Sequence, residues 1–424
     1  MNTRGHFNWS LILVACLLLA SVSLAVAQDE SQPAAPKAAL APTELGESAS
    51  PVASLTETEP NGAFNSADPM QLGDVMSGKI GGPSDVDYFV VNVPQAAAVL
   101  IDIDAERYGS ALDPVVCLYD KQRLEEACND DADGLDSLIY HVFNGPNTTP
   151  GTPYYIKIRD YSYPNEGGAT YTYKLLVYQP LLISAATAGT VAGIPFTNAD
   201  VLSHYDFSDG TEKWMMFFDA SDMGITKNLV GLATLHGDQD MDFALAANQN
   251  LVLGGATQVA TPFDIIQFYP TPPGHFGPET AGEMYYHYRG RDYALSATSE
   301  KIDALGIPWT VSTTGAAVGA NGLPARDEDV FNLPYGPTAY QWFDGSMVTG
   351  LAAEDVVGAD ERWNPAGYTE YLLTILGSGR VGGLAVTQKD IFTVNGSTYR
   401  VTGLYWHGPA HHFNYNIDAF DVGE

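Results

Sequence analysis

The segment TETEPNG at residues 56–62 places oxygen-bearing side chains at every second position. Glu57, Glu59 and Asn61 alternate with other residues, and Gly62 ends the run. In an extended chain, side chains two residues apart point to the same side. Calcium is bound by about six to eight oxygens from carboxylates, amide carbonyls and the backbone. The spacing therefore predicts a calcium-binding face, with a solvated acidic linker as the alternative interpretation.

A second acidic stretch, GGPSDVDYF at residues 81–89, can supply further ligands from a turn. It contributes Asp85 and Asp87 just before an apolar strand. Carboxylates gathered this closely repel one another unless a divalent cation lies among them. The predicted calcium ligands are Glu57, Glu59, Asn61, Asp85 and Asp87.

The stretch NDDADG at residues 129–134 resembles the front of a calcium loop, with oxygen ligands at Asn129, Asp131 and Asp133. The twelfth position of such a loop requires a bidentate Glu, and here it is Tyr140. A turn rich in Asn and Asp explains the same residues without a metal. This stretch is therefore a second and less complete candidate for calcium.

The residues that could act in catalysis form no recognisable set. The stretch WHGPAHH at residues 406–412 holds three histidines, but Pro409 and the β-rich context argue against the helix that would align them for zinc. No G-x-S-x-G, H-E-x-x-H or Cys–His pairing occurs after the expected signal peptide. A non-catalytic protein is therefore the favoured interpretation. The alternative is an exported hydrolase that uses Asp219, Asp344 or the histidine cluster at His407.

Two cysteines remain once the signal peptide is removed, Cys117 and Cys128. The segment CLYDKQRLEEAC between them is typical of two short strands around a polar turn, which would bring the sulfurs together. Exported proteins meet an oxidising environment, so we expect a disulfide. Two free thiols or a metal-binding pair are the alternatives.

The first residues indicate export. Arg4 precedes an apolar run at residues 11–24 and a small-residue cleavage site at residues 25–27, which together predict a signal peptide over 1–27. Residues 28–55 are rich in Ala, Pro and Ser and predict a disordered linker. The formal net charge of −32 argues against binding to nucleic acids or anionic membranes.

Residues 56–180 carry short segments in which apolar residues recur at every second position. DYFVVNV, YYIKIRD and TYTYKLLVYQ are examples, and clusters of Gly, Pro, Asn and Asp separate them. Period-two alternation of this kind is typical of strands, and no segment shows a helical period. The pattern predicts an antiparallel β-sandwich.

This part of the chain resembles the bacterial pre-peptidase C-terminal domain, a family similar to the collagen-binding domains of clostridial collagenases. The resemblance rests on matching stretches in the same order, at residues 57–93, 112–120, 129–134, 154–161 and 171–178. It covers about 120 residues and implies a jelly-roll-like sandwich on an exported protein, usually an accessory to a catalytic domain.

The resemblance also bears on the metal. Relatives in this family bind calcium through a Glu-x-Glu-x-Asn stretch and through aspartates before a D-x-D-x-F strand. Here these motifs correspond to residues 57–61 and 85–89. The match departs at Ser84, where some relatives carry another aspartate, so the affinity of this site is in doubt.

Residues 181–424 repeat. Asp200, Asp264, Asp329 and Asp390 each precede an apolar pair, at intervals of 64, 65 and 61 residues, and an aromatic strand follows each time. The last copy ends before its final strand, and a matching strand stands at 181–187. A repeat of four strands that is split between both ends predicts a closed ring, here a four-bladed β-propeller-like domain. Two stacked sandwiches are the alternative, and the repeats resemble only uncharacterised exported bacterial repeats.

The sequence thus predicts an all-β protein in which a jelly-roll-like β-sandwich precedes a repeat domain. We expect it to be secreted or held at the cell surface, although a periplasmic location stays open. The expected function is that of a non-catalytic binding or accessory protein stabilised by calcium. Its expected partner is an extracellular polymer or a cell-surface component, either protein or glycan, with no nucleic acid and no membrane span in the mature chain.

Overall fold

The structure is a computed structural model. It describes residues 54–93, 97–143, 152–207, 211–234, 240–306, 310–315, 325–333, 340–364 and 366–422. The expected signal peptide at 1–27 and almost all of the expected linker at 28–55 lie outside these residues. The described chain consists of β-strands and short 3₁₀ helices, which confirms the all-β class. None of the helices in these ranges has the length and apolar character needed to span a bilayer.

The part of the chain before residue 180 forms two five-stranded sheets. Their strands are β1 (Ser54–Thr56), β2 (Asp68–Met70), β3 (Val75–Lys79), β4 (Asp87–Val93), β5 (Ala97–Asp104), β6 (Pro114–Tyr119), β7 (Glu125–Asn129), β8 (Leu138–Phe143), β9 (Thr152–Asp160) and β10 (Thr172–Tyr178). One sheet has the order β1-β3-β10-β5-β8, and the other has the order β2-β4-β9-β6-β7.

The alternation in the sequence explains why these sheets pack face to face. Along β9, buried and half-buried residues alternate without a break, as the text TPYYIKIRD predicts. Phe89 and Ile156 from one sheet and Ile101 and Leu175 from the other belong to a single buried core. The predicted sandwich is therefore confirmed.

The described residues after 180 form four four-stranded sheets and three small hairpins. Its strands are β11 (Leu181–Ala185), β12 (Gly189–Val191), β13 (Ile194–Phe196), β14 (Val201–Asp206), β15 (Glu212–Phe218), β16 (Leu229–Thr234), β17 (Met241–Leu245), β18 (Gln249–Leu253), β19 (Ala256–Ala260), β20 (Ile265–Pro270), β21 (Gly282–Tyr288), β22 (Ile302–Gly306), β23 (Thr310–Thr313), β24 (Val330–Asn332), β25 (Tyr340–Phe343), β26 (Val356–Asn364), β27 (Tyr368–Ile375), β28 (Ser378–Val381), β29 (Leu384–Thr387), β30 (Asp390–Asn395), β31 (Arg400–His407) and β32 (Ile417–Asp421). The 3₁₀ helices of the described chain are Glu106–Tyr108, Gly290–Tyr293, Thr298–Glu300, Gly345–Met347 and Gly408–His411.

The four sheets share one antiparallel plan. Their orders are β15-β14-β11-β32 in the first sheet, β16-β17-β20-β21 in the second, β22-β23-β24-β25 in the third and β26-β27-β30-β31 in the fourth. Three two-stranded hairpins are formed by β12-β13, β18-β19 and β28-β29. In chain order, each hairpin connects the two middle strands of a four-stranded sheet.

The recurring aspartate of each copy links two turns. Asp200 accepts a hydrogen bond from the backbone N–H of Thr197 at 2.7 Å and another from that of Ala220 at 3.0 Å. The same two contacts recur at Asp264 with Thr261 and Gly290, and at Asp329 with Arg326 and Gly345. In the last copy Asp390 accepts from the N–H of Thr387 and contacts Nδ1 of His407. The spacing of the aspartates therefore reflects a structural role in every copy.

The first and last strands of this part pair with each other. Leu182 lies opposite Asp421 and Ile183 opposite Phe420 in an antiparallel register, as the split copy predicts. The innermost strands β16, β22, β26 and β32 also contact one another in a closed cycle. A closed ring of four blades would require contacts of this kind. The ring itself stays a prediction.

The sandwich and the four sheets share buried apolar surface. The ring of Tyr140 on β8 lies 5.1 Å from the rings of Phe217 and Phe276, and those two rings stack at 4.3 Å. All three belong to one hydrophobic cluster that also contains Leu100 and Leu232. The sandwich and the four sheets thus meet through a continuous core, and the domain boundary expected near residue 180 stays a prediction.

Candidate calcium centre

The segment that carries the predicted ligands continues from strand β1 along β3. Strand β1 runs parallel to β3, and just beyond it the N–H of Glu57 donates to the carbonyl of Ser77 at 3.0 Å. The Glu57 carboxylate in turn accepts from the N–H of Lys79 at 2.8 Å through Oε1. These bonds hold the acidic segment against the sandwich.

Three of the predicted ligands meet at one place. Glu59, Asp85 and Asp87 each offer one carboxylate oxygen, and these oxygens lie within 4.8 Å of one another. Asp85 is held by the turn before it, because its Oδ2 accepts from the N–H of Gly81 at 2.6 Å. Asp87 begins strand β4 and has no solvent exposure.

Two buried oxygens at this place have no hydrogen-bond partner within the described chain. They are Oδ1 of Asn61 and Oδ1 of Asp87, and both residues are fully buried. A buried oxygen without a donor costs about 1–3 kcal/mol, and more if it is charged. Hard cations prefer carboxylate and amide oxygens, so the residues present fit a calcium ion.

A single tyrosine hydroxyl serves two carboxylates of the site. Tyr173 donates to Oδ2 of Asp87 at 2.6 Å, and its oxygen also lies 3.1 Å from Oε2 of Glu57. A phenol carries one proton, so it can satisfy only one of these oxygens at a time. The site therefore has more acceptors than donors.

The protonation equilibria reflect this imbalance. Burial raises the pKa of Asp87 to about 9, and the charges of Glu57 and Asp85 add to the rise against the hydrogen bond from Tyr173. Burial also raises the pKa of Glu57. Without a cation, the Asp87 carboxyl therefore tends to hold its proton at neutral pH. A bound divalent cation would favour the ionised forms.

The structure thus places the five predicted residues as neighbours, although not on one extended face. Glu59, Asp85 and Asp87 form the acidic group, Glu57 joins it through Tyr173, and Asn61 turns its amide oxygen inward. Calcium binding by this set stays a prediction.

The second, less complete set has other contacts. Asn129 is buried and its Oδ1 accepts from the N–H of Leu138 at 3.3 Å. Asp133 pairs with Arg107 at 3.1 Å, and the backbone carbonyl of Asp131 contacts His275 at 2.7 Å. Among the described residues, Asp131 and Asp133 belong to no group of carboxylates, histidines or cysteines with metal-ligand spacing.

The cysteines pair as the sequence predicts. Cys117 on β6 lies directly opposite Cys128 on β7, and the two form a disulfide. The bond closes the hairpin at the edge of the second sheet of the sandwich, because β7 is the last strand there.

The residues named for a hydrolase have structural partners. Oδ1 of Asp219 accepts from both N–H and Oγ of Ser221, and Oδ1 of Asp344 accepts from the same two groups of Ser346. His407 contacts the repeat aspartate Asp390 at 2.5 Å. Such contacts shape turns and need no substrate.

The structure also assembles a group that sequence reasoning did not. His204, Asp206, Glu212 and His411 each offer one ligand atom, and all four atoms lie within 4.8 Å of one another. His411 comes from the stretch WHGPAHH, but its neighbours in space are about two hundred residues away in the chain. The signals in the sequence are His204 and His411, each at a position where the other copies carry a different type of residue.

Comparison with models of known protein families gives no match, and neither does comparison with curated proteins. Among solved structures, the chain is similar to the pre-peptidase C-terminal domain of a collagenase from Bacillus anthracis. The identity is 21%, the match covers 26% of this chain and 93% of that domain, and the TM-score is 0.21. A chain of a nidogen/laminin complex is 9% identical, with 58% of this chain and 98% of that chain covered and a TM-score of 0.25.

Proposed function

We propose that this chain is an exported, non-catalytic binding protein whose sandwich is stabilised by calcium. Its partner is an extracellular protein, and this chain binds an exposed peptide segment of that partner. The proposal combines the orphaned oxygens of Asn61 and Asp87 with a cavity whose lining includes Glu59 of the acidic group.

Glu59 of the acidic group forms part of a cavity wall. The cavity has a volume of about 600 Å³, and its lining includes Glu57, Glu59, Tyr108, Tyr173 and Lys174. Ligand-binding cavities commonly measure about 300–1,000 Å³. The shared wall is the observation that carries the proposal, because calcium bound to Glu59 would fix the shape of the cavity at the same time.

The chemistry of the cavity suits a peptide. Tyr108 is 59% exposed, and Nζ of Lys174 lies 4.4 Å from the centre of its ring. Tyrosines offer a rigid apolar face with a polar tip and are enriched at protein interfaces. Charges of both signs beside such a ring can bind the backbone and the polar side chains of an extended segment.

Four side chains would hold the calcium ion. Glu59, Asp85 and Asp87 would bind it through carboxylates, and Asn61 through its buried amide oxygen. The ion would supply the positive charge that these oxygens lack, while Tyr173 keeps Asp87 in position.

The repeats would give the sandwich a rigid base. The pairing of β11 with β32 and the closed cycle of contacts among β16, β22, β26 and β32 support a four-bladed ring. The structural contacts of Asp219, Asp344 and His407 favour a binding role over hydrolysis for this part.

Thermal melting with calcium tests the first half of the proposal. A ligand that binds only the folded state adds about 2.7 kcal/mol at a hundred times its dissociation constant. The mature protein should therefore melt at a higher temperature in millimolar calcium than in chelator, and magnesium should have a smaller effect. Equal melting in calcium and in chelator would contradict the calcium site.

A binding panel tests the second half. Immobilised extracellular proteins, including a collagen and a laminin, are compared with polysaccharides, each with calcium and with chelator. We expect binding to a protein, dependent on calcium and reduced at least about fivefold by Tyr108→Ala, since interface tyrosines often contribute more than about 1 kcal/mol. Lys227→Ala, at an exposed site in the repeats, is the control. Binding to polysaccharides alone, or binding unaffected by Tyr108→Ala, would contradict the peptide site.

A further inference from the structure

Two histidines and two carboxylates converge where the first sheet of the repeats meets the fourth. His204 and Asp206 lie on β14, Glu212 begins β15, and His411 ends the 3₁₀ helix that follows β31. Nε2 of His204 lies 3.4 Å from Oδ1 of Asp206 and 3.4 Å from Oε2 of Glu212. Nδ1 of His411 lies 3.1 Å and 3.7 Å from the same two oxygens.

These spacings match the edges of a small tetrahedron. Zinc is bound by imidazole nitrogens and carboxylate oxygens at about 2.0–2.2 Å, and four such ligands in tetrahedral array lie about 3.3–3.6 Å apart. The four distances between a nitrogen and an oxygen cluster around these values, and all four ligand atoms lie within 4.8 Å of one another. A cation at their centre would reach every ligand with little movement of the side chains.

The first histidine departs from the repeat. His204 is the fourth residue after the repeat aspartate, and the same position holds Phe268, Leu333 and Val394 in the other copies. All four side chains are buried, and His204 itself is only 2% exposed. Burying an imidazole where the fold uses a hydrocarbon costs free energy unless a specific partner compensates for it.

The second histidine departs in the same way. His411 stands three residues after Gly408, which corresponds to Ala220, Gly290 and Gly345 in the other copies. The equivalent residues there are Met223, Tyr293 and Val348. Two such replacements that meet in space point to one common purpose.

Aromatic rings fix both imidazoles. Trp406 stacks on His411 with 5.5 Å between ring centres and 8° between planes, and Trp214 lies 4.4 Å from His204. Both tryptophans are buried. This packing limits the freedom of the ligands before any ion arrives, which lowers the entropic cost of binding.

We propose that a divalent transition-metal ion, zinc in the native protein, binds to four side chains at once. These are the side chains of His204, Asp206, Glu212 and His411. Two neutral histidines and two carboxylates match the ligand types that zinc prefers and balance its charge. The ion connects the first sheet to the segment between the fourth sheet and β32. The ion therefore connects the first and last parts of the repeat region, close to the place where β11 pairs with β32.

The test uses the whole mature protein, stripped with a chelator and kept in excess calcium so that the acidic group of the sandwich is satisfied. Zinc is then added, and bound metal is measured by calorimetry and by elemental analysis. We expect one zinc ion per chain and quenching or a shift of tryptophan fluorescence. Cobalt in place of zinc should give the intense visible absorption of a four-coordinate centre.

Neighbouring histidines provide the matched pair of variants. His411→Ala should lower zinc affinity more than about 100-fold, since losing even an outer-shell partner costs about 10- to 100-fold. His412→Ala removes an exposed histidine outside the group and should bind as the wild type does. His204→Phe restores the residue of the second copy, so it should fold and bind no zinc.

Three results would overturn the proposal. The stripped wild-type protein takes up no zinc, or His411→Ala retains the full stoichiometry, or cobalt gives only the weak spectrum of a six-coordinate ion. If the group is only a set of ion pairs, His411→Ala lowers the melting temperature equally with and without zinc. The calcium response of the sandwich is measured separately and does not depend on any of these outcomes.

Discussion

Nζ of Lys213 lies 2.9 Å from Oδ1 of Asp104, and both side chains are buried. Lys213 belongs to β15 and Asp104 ends β5, so the ion pair joins the repeats to the sandwich. Asp102 contacts the same amine. Burial raises the pKa of Asp102 to about 6, although the charge of Lys213 opposes the rise. Lys213 thus contacts two carboxylates where the two architectures meet, and Arg107 also pairs with Asp104 at 3.1 Å.

Lys213→Met should lower the free energy of unfolding by about 3–5 kcal/mol, because it leaves the buried carboxylate of Asp102 without the cation that it contacts. Urea unfolding at pH 8 measures the change. Lys227→Met, which removes an exposed lysine, should stay within about 0.5 kcal/mol of the wild type. If both variants unfold at the same urea concentration, the buried pair contributes nothing.

Asp303→Asn should stabilise the protein at alkaline pH. Burial raises the pKa of Asp303 well above its usual range and that of Asp355 to about 6, and each contacts the other without a donor unless one holds a proton. A carboxyl whose pKa is higher in the folded protein than in the unfolded protein stabilises the fold at low pH. This contribution is complete below the unfolded-state pKa of about 4, and it is lost as the pH rises through the folded-state pKa. The amide of Asn donates permanently to Asp355, so we expect a gain of about 1–3 kcal/mol at pH 8.

The measurement is urea unfolding of the wild type and Asp303→Asn at pH 4 and pH 8. The difference between the two proteins should be small at pH 4 and large at pH 8. Asp292→Asn removes an exposed carboxylate and serves as the control. A difference that does not change with pH would refute the account of the pair.

Asp87→Asn should have opposite effects in calcium and in chelator. In chelator it removes a buried carboxyl that lacks a partner for Oδ1, so the melting temperature should rise. In calcium it removes a ligand, so the increase in melting temperature seen for the wild type should largely vanish. Glu166→Gln, on the exposed surface of the sandwich, should keep the calcium response. An unchanged calcium response in Asp87→Asn would falsify this placement of the ion.

Replacing Cys117 and Cys128 together by Ala should cost about 2–3 kcal/mol, as expected for a bond that closes a loop over a separation of 11 residues. The loss should concentrate at the edge strand β7, where hydrogen exchange should accelerate most. Mass spectrometry of the unreduced wild type should find the two peptides linked. Uniform acceleration across both sheets would contradict a local role for the bond.

Ending the chain at Tyr415 removes β32 and should damage the repeats throughout. It leaves β11 without one of its two neighbouring strands and removes Asp421, which accepts hydrogen bonds from Thr234 on β16. We expect aggregation or a loss of melting cooperativity, measured by light scattering and calorimetry. Removing residues 423–424 alone is the control. A shortened chain that melts as one unit near the wild-type temperature would indicate a linear stack in place of a ring.

Local patterns in the sequence predict much of this fold. Alternating apolar residues give the strands of the sandwich, because burial of one face follows directly from period two. The split copy predicts that Ile183 pairs near Phe420, and the spacing of Cys117 and Cys128 predicts a bonded hairpin; the structure agrees with both. The repeat aspartates are visible in the sequence, and their hydrogen bonds explain their recurrence.

Contacts between distant segments are harder to predict. Lys213 lies in the run EKWMMFF, and the sequence does not tell which buried carboxylates will meet its amine. His204 and His411 lie in different copies, and only the packing of the first sheet against the fourth brings them together. The acidic segment at 57–61 was predicted to be extended with its three ligands on one side. The structure sets Glu57 against Tyr173 and groups Glu59 with Asp85 and Asp87.

The rings of Tyr140, Phe217 and Phe276 also constrain the inheritance of this protein. A recombination event near residue 180 would strip each half of an apolar face that its counterpart covers. Either half, transferred alone into another gene, would then have to acquire a compensating polar surface or a new neighbour before it became useful. The sandwich and the repeats should therefore be inherited together. Substitutions at Tyr140, Phe217 and Phe276 should be correlated among related sequences.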